Sequence, residues 1–95
     1  MATYLIESYL ANHPSAVGNA RTAARRAAAI DPGIRHLRTT FLPRDETVFH
    51  LFEAPSEAVI RAAATTASLP IDRITEALEE PGEEGGAREW ATHGA

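Results

Sequence analysis

The sequence predicts an α+β domain of four strands and two helices in the order βαββαβ. Stretches in which apolar and polar residues alternate predict the strands, and alanine-rich stretches with helical spacing predict the helices between them. Proline, glycine, serine and aspartate separate these stretches. The order matches the ferredoxin-like arrangement, in which two helices cover one face of a four-stranded antiparallel sheet. We expect a second subunit to cover the other face, forming a dimeric α/β barrel.

The first predicted strand spans residues 3–10, and the helix after it runs from Ser15 to about Ile30. Alternation along the strand puts Tyr4, Ile6 and Ser8 on one face and Leu5, Glu7 and Tyr9 on the other. Alanines at helical spacing let the helix lie close to the sheet. Either strand face could meet the helices.

The second and third strands form a predicted hairpin across residues 42–45, Leu-Pro-Arg-Asp, where proline suits the first central position of a type I turn. With a three-residue loop, Arg38 faces His50 across the hairpin. His36 faces Phe52 in the same register. The face expected to carry the helices holds Leu37, Phe41, Phe49 and Leu51. The face expected to be open holds His36, Arg38, Thr40, Val48, His50 and Phe52.

The second helix is predicted to begin at Ser56, which can act as its N-cap, and residues 71–78 are predicted to form the last strand. Residues 1–79 then make one ferredoxin-like domain. Residues 80–95 are acidic and glycine-rich and contain Trp90, which is typical of a flexible tail.

The composition excludes several classes of function. A net charge of −4 argues against nucleic acid as a partner, and the absence of a membrane-spanning apolar run or a leader predicts a cytoplasmic protein without a membrane partner. The absence of cysteine excludes disulfides, thiolate catalysis and sulfur-rich zinc sites. Glycine-rich phosphate loops and the GxSxG, CxxC and HExxH motifs are also absent, which argues against nucleotide-dependent, serine-hydrolase, thiol-redox and zincin chemistry.

His50 and Arg38 are the candidate catalytic pair. A neutral imidazole can move protons near pH 7, and a guanidinium can hold a carboxylate, phenolate or enolate. The alternative is structural: Arg38 forms an ion pair between subunits and His50 makes a hydrogen bond in a polar interface.

The candidate substrate-binding residues lie around this pair, and they are His36, Glu7, Tyr9, Phe52 and Val48. His36 and His50 on neighbouring strands could also bind a metal, and Glu7 would complete a two-histidine, one-carboxylate site if it shared their face. The structural alternative for Glu7 is a cross-strand ion pair, and for Tyr9 a packed ring.

Two segments carry a family resemblance, LPRDETVFHLFEAPS at residues 42–56 and LPIDRITEA at residues 69–77. Over residues 3–78 the chain resembles a group of small bacterial proteins whose described members are nickel-binding, dimeric and ferredoxin-like. The resemblance implies this fold and a dimer. It also places Ile6 and Ser8 where the family's first strand carries metal-facing Asp and His, and His50 where its third strand often carries Cys.

The leading hypothesis is a homodimer that binds a small organic molecule over its open sheet face and needs no cofactor. A cyclase or isomerase would use such a pocket. The alternative is a non-catalytic protein that binds nickel or another divalent metal through His36 and His50. A third possibility is a regulatory module that senses a metabolite.

Overall fold

The computed structural model describes residues 1–10 and 15–80 and has the predicted order of elements. The strands are β1 (Ala2–Tyr9), β2 (Arg35–Leu42), β3 (Thr47–Ala54) and β4 (Arg73–Ala77). The helices are α1 (Ala16–Ile30) and α2 (Glu57–Thr66). Trp90 and the rest of the predicted tail from residue 81 lie outside the described residues.

The four strands form one sheet in the order β2-β3-β1-β4, and each neighbouring pair is antiparallel. Both helices pack against the same sheet face, where their side chains share a core with residues of β1 and β3. This arrangement confirms the predicted ferredoxin-like α+β fold. Within the described ranges, neither helix is long and apolar enough to cross a membrane.

The inner faces of the helices consist largely of alanine, which lets them approach the sheet closely. In α1 the buried residues are Ala20, Ala23, Ala24 and Ala27, and in α2 they are Ile60, Ala63 and Ala64. The large side chains of this core come mainly from the sheet, above all Tyr4, Ile6 and Phe52. Small helix residues and large strand residues therefore fill the layer between them.

Helix α2 is capped at both ends. At its start the Val59 N–H donates to the Ser56 hydroxyl at 3.2 Å, so the predicted N-cap is confirmed. At its end the Leu69 N–H donates to the Ala64 carbonyl at 2.8 Å, and the chain turns through Ser68 at a positive φ of 59°. This is a Schellman motif with serine at the position that glycine usually occupies.

The hairpin between β2 and β3 has a loop one residue longer than predicted. The Glu46 N–H donates to the Pro43 carbonyl at 3.3 Å and closes the turn, and Glu46 has a positive φ of 47°. The Leu10 N–H donates to the Glu46 carbonyl at 2.6 Å. A contact with the end of the first strand therefore holds the loop, and local turn preferences could not reveal it.

The longer loop shifts β2 by one residue against β3, so that Thr39 and not Arg38 pairs with His50. A bulge between His36 and Arg38 then absorbs the shift, and His36 pairs with Phe52 as predicted. The expected pairing of Arg38 with His50 is therefore wrong. The two residues lie on opposite faces of the sheet because side chains alternate along a strand.

The helices cover the sheet face that the sequence assigned to the open side. His50 and Phe52 have no exposed surface, and Val48 is 1% exposed. The central strand explains the error: Tyr4 and Ile6 pair with Phe52 and His50, respectively, and so share their face. With β1 included, this face carries the larger apolar surface, and burying it under the helices is more favourable.

We predict that Ser68→Gly raises the free energy of unfolding by about 0.5–1 kcal/mol, because glycine adopts a positive φ without the steric cost that serine bears. Urea denaturation monitored by circular dichroism measures this change. Ser56→Ala is the matched variant at the other end of α2, and it should lower stability by about 1 kcal/mol. A loss of stability in Ser68→Gly would contradict the Schellman assignment.

Candidate functional site

A partly buried chain of hydrogen bonds lies on the helix side of the sheet. The Thr39 hydroxyl lies 2.8 Å from Nδ1 of His50 and 2.8 Å from Nε2 of His36. The two imidazole rings are 6.1 Å apart, and His36 also lies 5.2 Å from the ring of Phe52. The expected proximity of the two histidines is therefore present, but a threonine that the sequence did not single out connects them.

The Thr39 hydroxyl carries a single proton, so it can donate to only one ring and can accept from an N–H of the other. The direction of the two hydrogen bonds depends on the tautomers of the two imidazoles. A hydrogen bond with the Arg38 backbone raises the pKa of His36.

Nε2 of His50 has no hydrogen-bond partner among the described residues, although the side chain is fully buried. Burial lowers the pKa of His50 to about 4, and the neighbouring His36 acts in the same direction. Burial also lowers the pKa of His36, and the charge of Arg25 contributes to that decrease. Both imidazoles are therefore neutral near pH 7.

The opposite, helix-free side of the sheet is the open face. Two rows of paired residues cross its centre: Arg38, Leu51, Leu5 and Thr75, and then Thr40, Phe49, Glu7 and Arg73. The middle of the open face is thus apolar, with Leu51 buried at its centre. Charged side chains lie around this apolar middle.

An ion pair links the two edges of the open face. Arg38 is on edge strand β2, and its guanidinium lies 3.4 Å from the carboxylate of Glu79, which follows the opposite edge strand β4. Both side chains are well exposed, so solvent screens the pair and it contributes little to stability. It does place a cation and an anion above the apolar middle of the sheet.

The other predicted site residues are divided between the two faces. Glu7 lies on the open face, whereas Val48, Phe52, His36 and His50 lie on the helix side. A site that combines both histidines with Glu7 is therefore not assembled within one chain. No group of three or more His, Asp or Glu side chains that could hold a metal occurs among residues 1–10 and 15–80.

Tyr9 lies at the end of β1 and is 64% exposed. Its hydroxyl donates to the Glu46 carboxylate at 3.2 Å, and this hydrogen bond together with the negative charge of Glu46 raises the pKa of Tyr9. Its backbone N–H donates to Asp72 at 2.5 Å. Tyr9 thus joins the first strand to two loops and is not a packed ring.

Sequence reasoning missed Thr39, Arg73 and Glu79. Thr39 could have been found only with the correct hairpin register, because the expected register placed it on the face opposite His50. Arg73 and Glu79 flank the last strand and reach the open face only through the β1–β4 pairing and the path of the chain after β4. No local motif marks them.

We predict that the protein loses stability as the pH falls from about 6.5 toward 4. The folded pKa of His50 lies below the ordinary value of 6.5, so the unfolded chain binds more protons in this range. His50→Leu removes this titration and should flatten the dependence by up to about 1.4 kcal/mol per pH unit. His36→Gln removes the other imidazole with a lowered pKa and should also flatten the dependence. Urea denaturation at pH 5, 6 and 7 tests the prediction, and equal slopes for wild type and His50→Leu would contradict it.

The fold and the sequence can be compared with known proteins. Residues 4–77 match the family described as nickel responsive protein SCO4226-like. The crystal structure of SCO4226 from Streptomyces coelicolor A3(2) has the same fold, with a TM-score of 0.68 at 18% identity over 84% of this chain and 100% of that chain. No curated protein matches the chain. Because the family match spans most of its length, the chain belongs to the SCO4226-like family of nickel-responsive proteins.

Proposed function

We propose that the chain forms a homodimer through its open face and binds a small anionic organic molecule between the two sheets. The observation that carries the proposal is the pattern of the open face, an apolar middle with guanidinium groups at both edges. A chain of 95 residues buries a thin core, and covering a second apolar surface with another subunit is a common solution.

The apolar part of the open face is large for one layer of a small protein. Leu5, Phe49 and Leu51 form its middle. Further apolar side chains remain exposed beside it, namely Tyr9 at 64% and Leu42 at 38%. Apolar surface of this kind, rimmed by charges, is typical of interaction sites. On the helix side, the large strand residues that the structure describes are buried.

The charged residues of the open face suggest which ligand would bind between the two sheets. Arg38 and Arg73 lie on the two edge strands, and guanidinium groups bind carboxylates and enolates with paired hydrogen bonds. Glu7 lies between them on a central strand. His50 lies on the opposite side of the sheet and cannot reach a ligand on the open face. Glu7 therefore takes the proton-transfer role in a cyclase or isomerase reaction.

We predict that Phe49→Glu converts the homodimer into a monomer, because it removes an apolar side chain from the interface and buries a second carboxylate directly beside Glu7. Ile30→Glu is the control, since Ile30 is exposed at the end of α1 on the helix side. Non-denaturing mass spectrometry of untagged protein reports the subunit count. A monomeric wild type, or a dimeric Phe49→Glu variant, would overturn the proposed interface.

We predict that Arg38→Gln weakens binding of an anionic ligand by about tenfold or more, because glutamine is shorter, loses the charge and cannot form the paired hydrogen bonds of a guanidinium. The ligand is first sought as mass retained by the native wild-type dimer. Arg44→Gln, in the hairpin loop, is the matched control. If wild type and Arg38→Gln retained equal amounts of ligand, the proposed role of Arg38 in binding the anion would be ruled out. The proposed dimer would not be affected by that result.

Nickel binding is the second candidate. The family is described as nickel-responsive, and Nε2 of His50 is a nitrogen without a hydrogen-bond partner among the described residues. The described residues do not fit such a site within one chain. They offer two imidazoles with the Thr39 hydroxyl between them, and nickel(II) usually takes four or more nitrogen and oxygen donors. The same mass spectra distinguish nickel from an organic ligand. One nickel ion per chain that is lost in a His36→Gln, His50→Leu double variant would favour nickel.

A further inference from the structure

A cavity lies in the helix layer, away from both the open face and the two histidines of the site. Its volume is about 330 Å³, at the low end of the range of roughly 300–1,000 Å³ for ligand sites. It is bounded by the end of β1, one side of α1 and the connection between α2 and β4. The lining residues are Leu10, Ala16, Asn19, Ala20, Ala23, Arg26, Ser68 and Pro70.

The cavity exists because α1 presents alanine where a larger side chain would fill the space. Ala20 and Ala23 are buried and form the floor, while Leu10 and Pro70 add apolar walls. The Pro70 wall is fixed, because the buried Ser8 hydroxyl donates to the Pro70 carbonyl. The apolar part of the cavity is therefore part of the packed structure.

Polar groups are concentrated on the exposed side of the cavity. Asn19, Arg26 and Ser68 are exposed, and among the lining residues that the structure describes Arg26 is the charged one. Within the described ranges no carboxylate lies within ion-pair distance of Arg26. Helix α1 carries three arginines and no acidic residue, although the whole chain has a net charge of −4. The cavity therefore has a local positive field.

We infer that this cavity binds a small monocarboxylate with a short apolar body. Its carboxylate would pair with Arg26 and accept hydrogen bonds from the Asn19 amide and the Ser68 hydroxyl. Its hydrocarbon part would lie against Ala20 and Ala23. This site is separate from the proposed ligand compartment on the open face, and neither depends on the other.

The test uses sodium hexanoate as the probe and backbone amide chemical shifts of the full-length protein as the readout. We expect saturable shifts at Asn19, Ala20 and Ala23, and weaker or absent shifts with hexan-1-ol, which lacks the charge. Arg26→Gln should weaken hexanoate binding by about tenfold. Arg21→Gln, on the same helix but outside the cavity, should change it by less than about twofold.

Three outcomes would overturn the inference. They are no shifts at the cavity residues, equal binding of hexan-1-ol and hexanoate, and equal affinities of Arg26→Gln and wild type. Arg26 is exposed and outside the core, so its replacement should not affect folding, which circular dichroism verifies. A Phe49→Glu variant with an unaltered hexanoate affinity would separate this site from the dimer interface.

Discussion

The register between β2 and β3 is the constraint on which both faces of the sheet depend. Side chains alternate with a period of two along a strand, so a shift of one residue exchanges the faces. The loop held at Glu46 introduces such a shift, and the bulge after His36 removes it. Only the part of β2 between the loop and the bulge is affected, and its side chains lie on the faces opposite to those of an unshifted hairpin. Thr39 consequently joins His50 on the helix side, and Arg38 joins the open face.

This register places uncharged polar groups on the helix side and charged groups on the open face. A straight hairpin would have placed Arg38 beside His50 under the helices, where an unpaired guanidinium loses its hydration at a cost of several kcal/mol. With the bulge, the helix side receives a threonine and two imidazoles that remain neutral when buried. The open face receives the charges of Arg38 and Glu79, which stay in water. The bulge thus lets one edge strand serve a dry core and a charged surface.

The helix layer follows from the same division. Because the sheet supplies the large apolar side chains, alanine suffices on the inner sides of both helices. Small helix residues also leave space where no strand side chain reaches, as beside Ala20 and Ala23. The fold shared with SCO4226 at 18% identity shows that the fold itself does not require many particular residues. The sites, in contrast, depend on individual side chains such as Arg26, Arg38 and His50.

The order of the elements, the antiparallel ferredoxin-like fold and the cap at Ser56 could be predicted from local patterns, because alternation, helical spacing and breaking residues act over a few neighbouring positions. The proximity of His36 and His50 could also be predicted, through the hairpin. The sheet face that the helices cover could not, since the contribution of β1 becomes known only when its pairing is known. The partners of Thr39 and Arg38 were decided in the same way, because a contact from the distant end of β1 fixes the loop that sets their register.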